Sequence, residues 1–169
     1  MMNYLVLLGA ALISSCMSCS LPYASQNQNV STEHMVWHEQ YRYPYPLGLM
    51  ELQGCLTITV DPGTNQGDVI LSGKFSRVPL LKVTGTGFLN GSRLNTNYDG
   101  LAHMMSGPRN VVYTDNKDIY IDHYCMFGAE IATVFTSEVN PSDEVLQKAW
   151  EMVDNSSELD RSRFKRVTC

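Results

Sequence analysis

The chain has 169 residues, of which 44% are hydrophobic and 17% charged, with a formal net charge of -5. This is enough apolar material for one domain with a real core, and it excludes a disordered chain. The mild acidity, with Lys and Arg scattered, excludes the dense basic face of a nucleic-acid or anionic-membrane binder, and Arg161, Arg163, Lys165 and Arg166 read as a solvated tail.

The amino terminus MMNYLVLLGAALISSCMS carries an apolar run over residues 4–13, too short to span a bilayer, followed by small residues. It predicts a secretory signal peptide over residues 1–18 and a single domain over 19–169, hence a secreted, extracellular protein with no integral membrane segment. ISSC also has the form of a lipoprotein cleavage site, but the segment before it lacks Lys and Arg. Cleavage before Cys19 severs the CxxC pair that Cys16 makes with Cys19 and leaves Cys19, Cys55, Cys125 and Cys169. Four cysteines in an oxidising compartment form two bridges in one of three connectivities. Sequons at Asn29, Asn90 and Asn155 are glycosylation candidates in such a protein.

From residue 35 onward the chain alternates short strands and turns without repeats. WHEQYRY, GCLTITV, DVILSGKF, PLLKVTGTGFL, SRLNTNY, NVVYT, DIYIDHYCMF and AEIATVFTSEV are strand candidates, separated by turns such as DPGTNQG, NGS, YDG and TDNK. About eight short strands at even spacing predict a sandwich or an antiparallel barrel able to hold one small ligand. One helix follows: Asn140 as cap, Pro141 at the first position, Asp143 and Glu144 favouring the dipole, and Leu146, Ala149, Trp150 and Val153 as its apolar face. It should pack outside the barrel.

WHEQYRYP resembles the segment that opens the first strand of the lipocalins, keeping its tryptophan, glutamate, arginine and final tyrosine and proline. GCLTITV resembles their second strand, and NVVYTDNKDIYIDHYCMF their sixth and seventh strands joined by a TD turn. The resemblance covers nearly the whole mature chain and is most like the insect biliproteins, the insecticyanin and bilin-binding protein group, with relatives of the apolipoprotein D type. It implies an all-β fold, an eight-stranded antiparallel up-and-down barrel with one C-terminal helix outside. It also implies the pairings Cys19 with Cys125 and Cys55 with Cys169. Two positions depart from the family pattern: Met35 stands where the family has glycine before the tryptophan, and Glu138 where it has an arginine that packs across the tryptophan. Trp37 is expected at the closed end of the barrel, with Arg42 as a substitute for that arginine.

Because the strand cysteines must point outward to reach their partners, residues of opposite parity point in. The candidate ligand-binding set is Leu56, Ile58 and Val60, then Asp122, Tyr124 and Met126 with Tyr120, then Ala132 and Val134 with Glu130. This last assignment supposes that Ile131, Thr133 and Phe135 face outward as a floor for the helix. A mostly apolar lining with a few polar groups suits a small hydrophobic ligand. The resemblance implies a carried bilin such as biliverdin, with retinoids, fatty acids or sterol-like molecules as alternatives and Lys82 and Arg93 as candidate partners of the propionates. No cofactor is required for catalysis and no metal site is expected: His34, His38, His103 and His123 show no metal-ligand spacing, and no HExxH, GxSxG or phosphate loop occurs. A few lipocalins are enzymes through a free cysteine in the barrel, but here each mature cysteine has an expected partner, so the reading is non-enzymatic. The alternative class is a salivary-type lipocalin that inhibits a host protein, or meets a cell-surface receptor, through its open-end loops. DGLAHMMSGP, with Leu101, Met104 and Met105, is the candidate contact loop.

Overall fold

A computed structural model describes residues 19, 21, 28–45, 54–78, 80, 82–126 and 128–169; the expected signal segment and Cys16 lie outside the described residues. The strands are β1 (Met35–Arg42), β2 (Leu56–Pro62), β3 (Asp68–Phe75), β4 (Lys82–Asn90), β5 (Arg93–Tyr98), β6 (Gly107–Thr114), β7 (Ile119–Met126) and β8 (Ala129–Thr136). Each pairs antiparallel with the next, and β1 closes the barrel by pairing with both β8 and β2. A two-residue strand, β9 (Lys165–Arg166), adds to the end of β1 at Tyr41 and Arg42. Closure leaves no free edge on the main sheet, which is how an all-β domain avoids edge-to-edge association. In this up-and-down order, the lower end carries the start of β1 and the β2–β3, β4–β5 and β6–β7 turns. The upper end carries the other connections, including a short 3-10 helix at Gly100–Met105.

Two apolar clusters divide the core. The inner one fills the barrel with Trp37, Tyr45, Leu56, Val69, Leu71, Phe75, Val83, Tyr98, Tyr124, Met126, Ile131 and Phe135, joined by Ile58, Val60 and Tyr120. The inward parity deduced from the cysteines therefore holds on β2 and β7. Glycine in β4 lets the β5 backbone come close: a Cβ on Gly85 would stand 2.4 Å from the Asn97 carbonyl oxygen and 2.8 Å from the Tyr98 Cα.

The outer cluster joins Ile119, Ile121, Ala132 and Val134 of β7 and β8 to Ala149 and Val153 of the helix α1 (Asp143–Asn155), with Tyr43 and Phe164. This corrects the expected facing of β8. Ala132 and Val134 lie under the helix and not in the barrel, Ile131 and Phe135 point in, and Glu130 is outside, bound to His123 at 2.9 Å and to Arg163. The cause is register: Met126 pairs with Ala129 across the β7–β8 hairpin, so the outward Cys125 lies opposite Glu130 and the whole of β8 follows.

Ser142 caps α1, its side chain accepting from the Val145 N–H at 3.3 Å. The expected cap Asn140 lies outside the helix, and Asp143 and Glu144 occupy the first turn. Val145, more than Leu146, joins the outer cluster. Cys19 is bonded to Cys125 and Cys55 to Cys169, so the leading segment is pinned to β7 and the carboxyl terminus to the start of β2.

Candidate functional site

Inside the barrel a cavity of about 50 Å³ is lined by Met35, Trp37, Ile58, Val60, Val69, Leu71, Leu89, Leu94, Tyr120 and Phe135, and by the polar groups of Arg109 and Asp122. It extends to the lower end, where Val30, Ser31 and Asn116 complete its wall. Of the expected lining, Ile58, Val60 and Asp122 border the cavity. Leu56, Tyr124 and Met126 point into the barrel but pack in the inner core beside it.

Asp122 and Arg109 are an ion pair, Arg109 Nη1 donating to Asp122 Oδ2 at 3.3 Å, with 3% and 5% of these residues exposed. The guanidinium lies over the Tyr124 ring at 3.8 Å and near the Tyr98 ring at 5.7 Å, and Nη2 donates to the Met105 carbonyl at 3.5 Å. Ring faces on a desolvated guanidinium are attractive and fix its plane. Burial pushes the Asp122 carboxyl up, against the pull of Arg109. Two atoms of this pair, Arg109 Nε and Asp122 Oδ1, have no hydrogen-bond partner.

A second buried pair plugs the upper end. Glu39 accepts from the Leu56 N–H at 2.9 Å and faces Arg42 at 3.5 Å; Arg42 donates to the Gly54 carbonyl at 2.8 Å and lies 5.2 Å from the Tyr45 ring centre. Tyr45 and Tyr124 share a hydroxyl–hydroxyl bond of 2.7 Å. Burial pushes Glu39 up to about 7 and raises both phenols. The sequence expectation for Arg42 is thereby corrected. It sits five residues from Trp37 on an extended strand, at about 3.3 Å per residue, and a bulge between Glu39 and Tyr41 turns it inward at the other end.

Trp37 is buried against Tyr120, their rings 5.6 Å apart. The lower end around it is held by amides instead of an arginine. Gln40 Nε2 donates to Thr136 Oγ1 at 3.0 Å and to the carbonyls of Glu138 and Val139 at 3.2 Å each. Asn116, at a φ of 56°, accepts from the Ser31 N–H at 2.8 Å and donates to the Asn29 carbonyl at 2.6 Å, strapping the segment before β1 across the cavity.

Lys82 and Arg93, expected at a propionate site, do not line the cavity. Lys82 is exposed opposite Lys74, and Arg93 pairs with Asn90 in the β4–β5 hairpin. The cation that lines the cavity is Arg109, which lies between a proline and the NVVYT run and was not among the expected site residues. Its register opposite Tyr124 is the signal that places it inward. At the upper end Leu101 and Met104 are 82% and 61% exposed, whereas Met105 packs on the inner core. The sequon residues Asn29, Asn90 and Asn155 are all exposed. Among the described residues no group of three or more His, Cys, Asp or Glu could hold a metal ion, and no helix is long and apolar enough to cross a membrane.

No protein-family model and no curated protein matches this chain in sequence. Solved structures do match it in fold. Insecticyanin from the tobacco hornworm Manduca sexta superposes with a TM-score of 0.65 at 13% identity, over 90% of this chain and 87% of that one. H1 crustacyanin from the lobster Homarus americanus gives 0.62 at 17%, again over 90% and 87%. The amine-binding protein of Rhodnius prolixus, in its tryptamine complex, gives 0.61 at 12%, over 88% and 85%. All three are lipocalins. This chain has the lipocalin fold. Its eight-stranded calyx with an outer helix is that of these structures, and with identities of 12 to 17% none of the three marks out a subgroup for this lipocalin barrel.

Proposed function

We propose that the protein is a secreted, non-catalytic carrier of a small, largely apolar molecule held in the lower half of the barrel. The observation that carries this reading is the cavity itself, an apolar and aromatic wall interrupted by one buried Arg109–Asp122 pair with unused hydrogen-bonding atoms. Binding sites for small molecules have that composition. A neighbour of the same fold is complexed with tryptamine, a compact aromatic molecule. The paired cysteines support an extracellular setting and provide no barrel thiol for catalysis.

A cavity of about 50 Å³ favours a compact ligand over a bilin such as biliverdin. Pockets that hold drug-sized ligands run to roughly 300 Å³ or more, so a tetrapyrrole requires this cavity to enlarge severalfold. Mass spectrometry of small molecules released from the natively purified protein tests the reading. A stoichiometric compact organic ligand supports it, a bilin revises its size, and an empty barrel with a tight protein partner replaces it by the inhibitor reading, which the exposure of Leu101 and Met104 favours.

A further inference from the structure

We propose that Arg109 and Asp122 make the cavity selective for an uncharged head group that donates and accepts hydrogen bonds side by side, such as a primary carboxamide or a lactam. Amine cations and carboxylates of the same size are discriminated against. This rests on the carrier reading above. Both residues border the cavity and are almost wholly buried, and each contributes one atom without a partner: Arg109 Nε is a donor lacking an acceptor, and Asp122 Oδ1 an acceptor lacking a donor. Their remaining bonds are already made. Nη1 is committed to Asp122 Oδ2, Nη2 to the Met105 carbonyl, the guanidinium plane is fixed against the Tyr124 ring, and the Thr133 hydroxyl on the neighbouring strand also faces the Asp122 carboxylate.

An occupant that places a carbonyl oxygen at Nε and an N–H at Oδ1 satisfies both atoms at once, and leaving a buried polar atom unpaired is costly. A carboxamide carries these two functions on adjacent atoms. An ammonium group satisfies Asp122 but stands beside the Arg109 cation and leaves Nε empty; a carboxylate satisfies Arg109 but stands beside the Asp122 anion and leaves Oδ1 empty. In a desolvated cavity such like-charge contacts are felt strongly. Of the other buried charges among the described residues, Glu39 and Arg42 face each other at 3.5 Å and give no net bias toward either ion, and His123 and Glu158 face each other at 3.7 Å on the outer side of β7. The site thus differs in its expected preference from the neighbour that binds tryptamine, an amine.

Benzamide, benzoate and benzylamine are matched probes, small enough to need only modest movement of the apolar wall. Titration of each into the full protein at pH 8, where Glu39 is ionised, is followed by NMR through the Trp37 indole resonance and by calorimetry. Benzamide should bind at least about tenfold more tightly than either ion. Asp122→Asn should move the preference to benzoate and Arg109→Gln to benzylamine, each by about tenfold or more in relative affinity. The comparison in the unmutated protein decides the question even where a variant fails to fold. Equal affinities, or tighter binding of either ion, overturn the selectivity while leaving the carrier reading in place. Failure of all three to bind also overturns the selectivity, and the carrier reading is then decided by the mass spectrometry of released molecules.

Discussion

Glu39 is the residue at which burial and charge conflict most openly. Its carboxylate faces Arg42 and accepts the Leu56 N–H, yet burial outweighs both and raises it from 4.5 to about 7. A carboxyl whose folded value lies above its unfolded one binds more protons when native, so stability falls as pH rises from about 4.5 to 7 and is level beyond. Glu39→Gln should flatten that stretch of the profile, measured as urea unfolding free energy against pH. An unchanged slope would show that Glu39 is ionised throughout. Trp37 offers a second test at this scale. Its ring borders the cavity and packs on Tyr120, so Trp37→Ala should destabilise by about 3 to 5 kcal/mol, as truncation of large core aromatics does.

Among the elements, the β6–β7 turn does the most joining. Asp115 accepts from the N–H groups of Lys117, Asp118 and Ile119 at 3.2, 2.8 and 2.9 Å and pairs with Lys148 of α1 at 2.8 Å. These donors hold it near 2 despite partial burial. The stability they contribute is present above the unfolded value of 3.8 and is lost as pH falls toward 2. In Asp115→Asn, acid unfolding followed by circular dichroism should lose pH sensitivity in that window. The neighbouring Asn116 straps the segment before β1 over the cavity through Ser31 and Asn29. Asn116→Ala should therefore raise acrylamide quenching of Trp37 in a Trp150→Phe background, whereas Leu101→Ala at the upper end should not. Quenching that responds to Leu101 and ignores Asn116 would place the way in at the loops. The cap of α1 is a simpler case: Ser142→Ala should cost about 1 kcal/mol in thermal unfolding.

For the whole molecule, the bridges set the boundary conditions. They join residues 106 and 114 positions apart, and cross-links closing loops of this size typically stabilise by about 3 to 5 kcal/mol, chiefly by restricting the unfolded chain. Non-reducing peptide mapping should recover Cys19 with Cys125 and Cys55 with Cys169 and no free thiol. Loss of the second bridge in a Cys55→Ala, Cys169→Ala variant should lower unfolding free energy by about 3 to 5 kcal/mol while far-ultraviolet dichroism stays that of the barrel. Mixed pairings would show that the carboxyl tail is not anchored to β2.

The eight barrel strands and the facing of β2 and β7 were legible in the sequence, because turn residues and period-two alternation are local and a bridged cysteine shows which parity points out, whereas their order was implied by the resemblance to the lipocalins and β9 was not foreseen. The helix was legible too, apart from its cap: Asn140 and Ser142 are both capping residues two positions apart, and only the path of the chain off β8 chose between them. The facing of β8 was not legible. Alternating AEIATVFT is apolar on both faces, one set under the helix and one in the barrel, so the pattern had no solvent side and the hairpin register decided. The site itself belonged to tertiary structure. Asp122 was visible as an inward acid, but Arg109 is thirteen residues away and becomes its partner only when β6 and β7 pair. Arg42 turned inward through a bulge that no local pattern announces, and the strap of residues 28–31 reaches Asn116 across 85 positions of chain. Sequence by itself determined the succession of strands and turns, since hydrophobic alternation and turn chemistry act between near neighbours, and its resemblance to the lipocalins pointed to the barrel. Which side chains share its interior, and so what it can hold, was decided by closure of the sheet, because only closure brings residues far apart in the chain to one desolvated space.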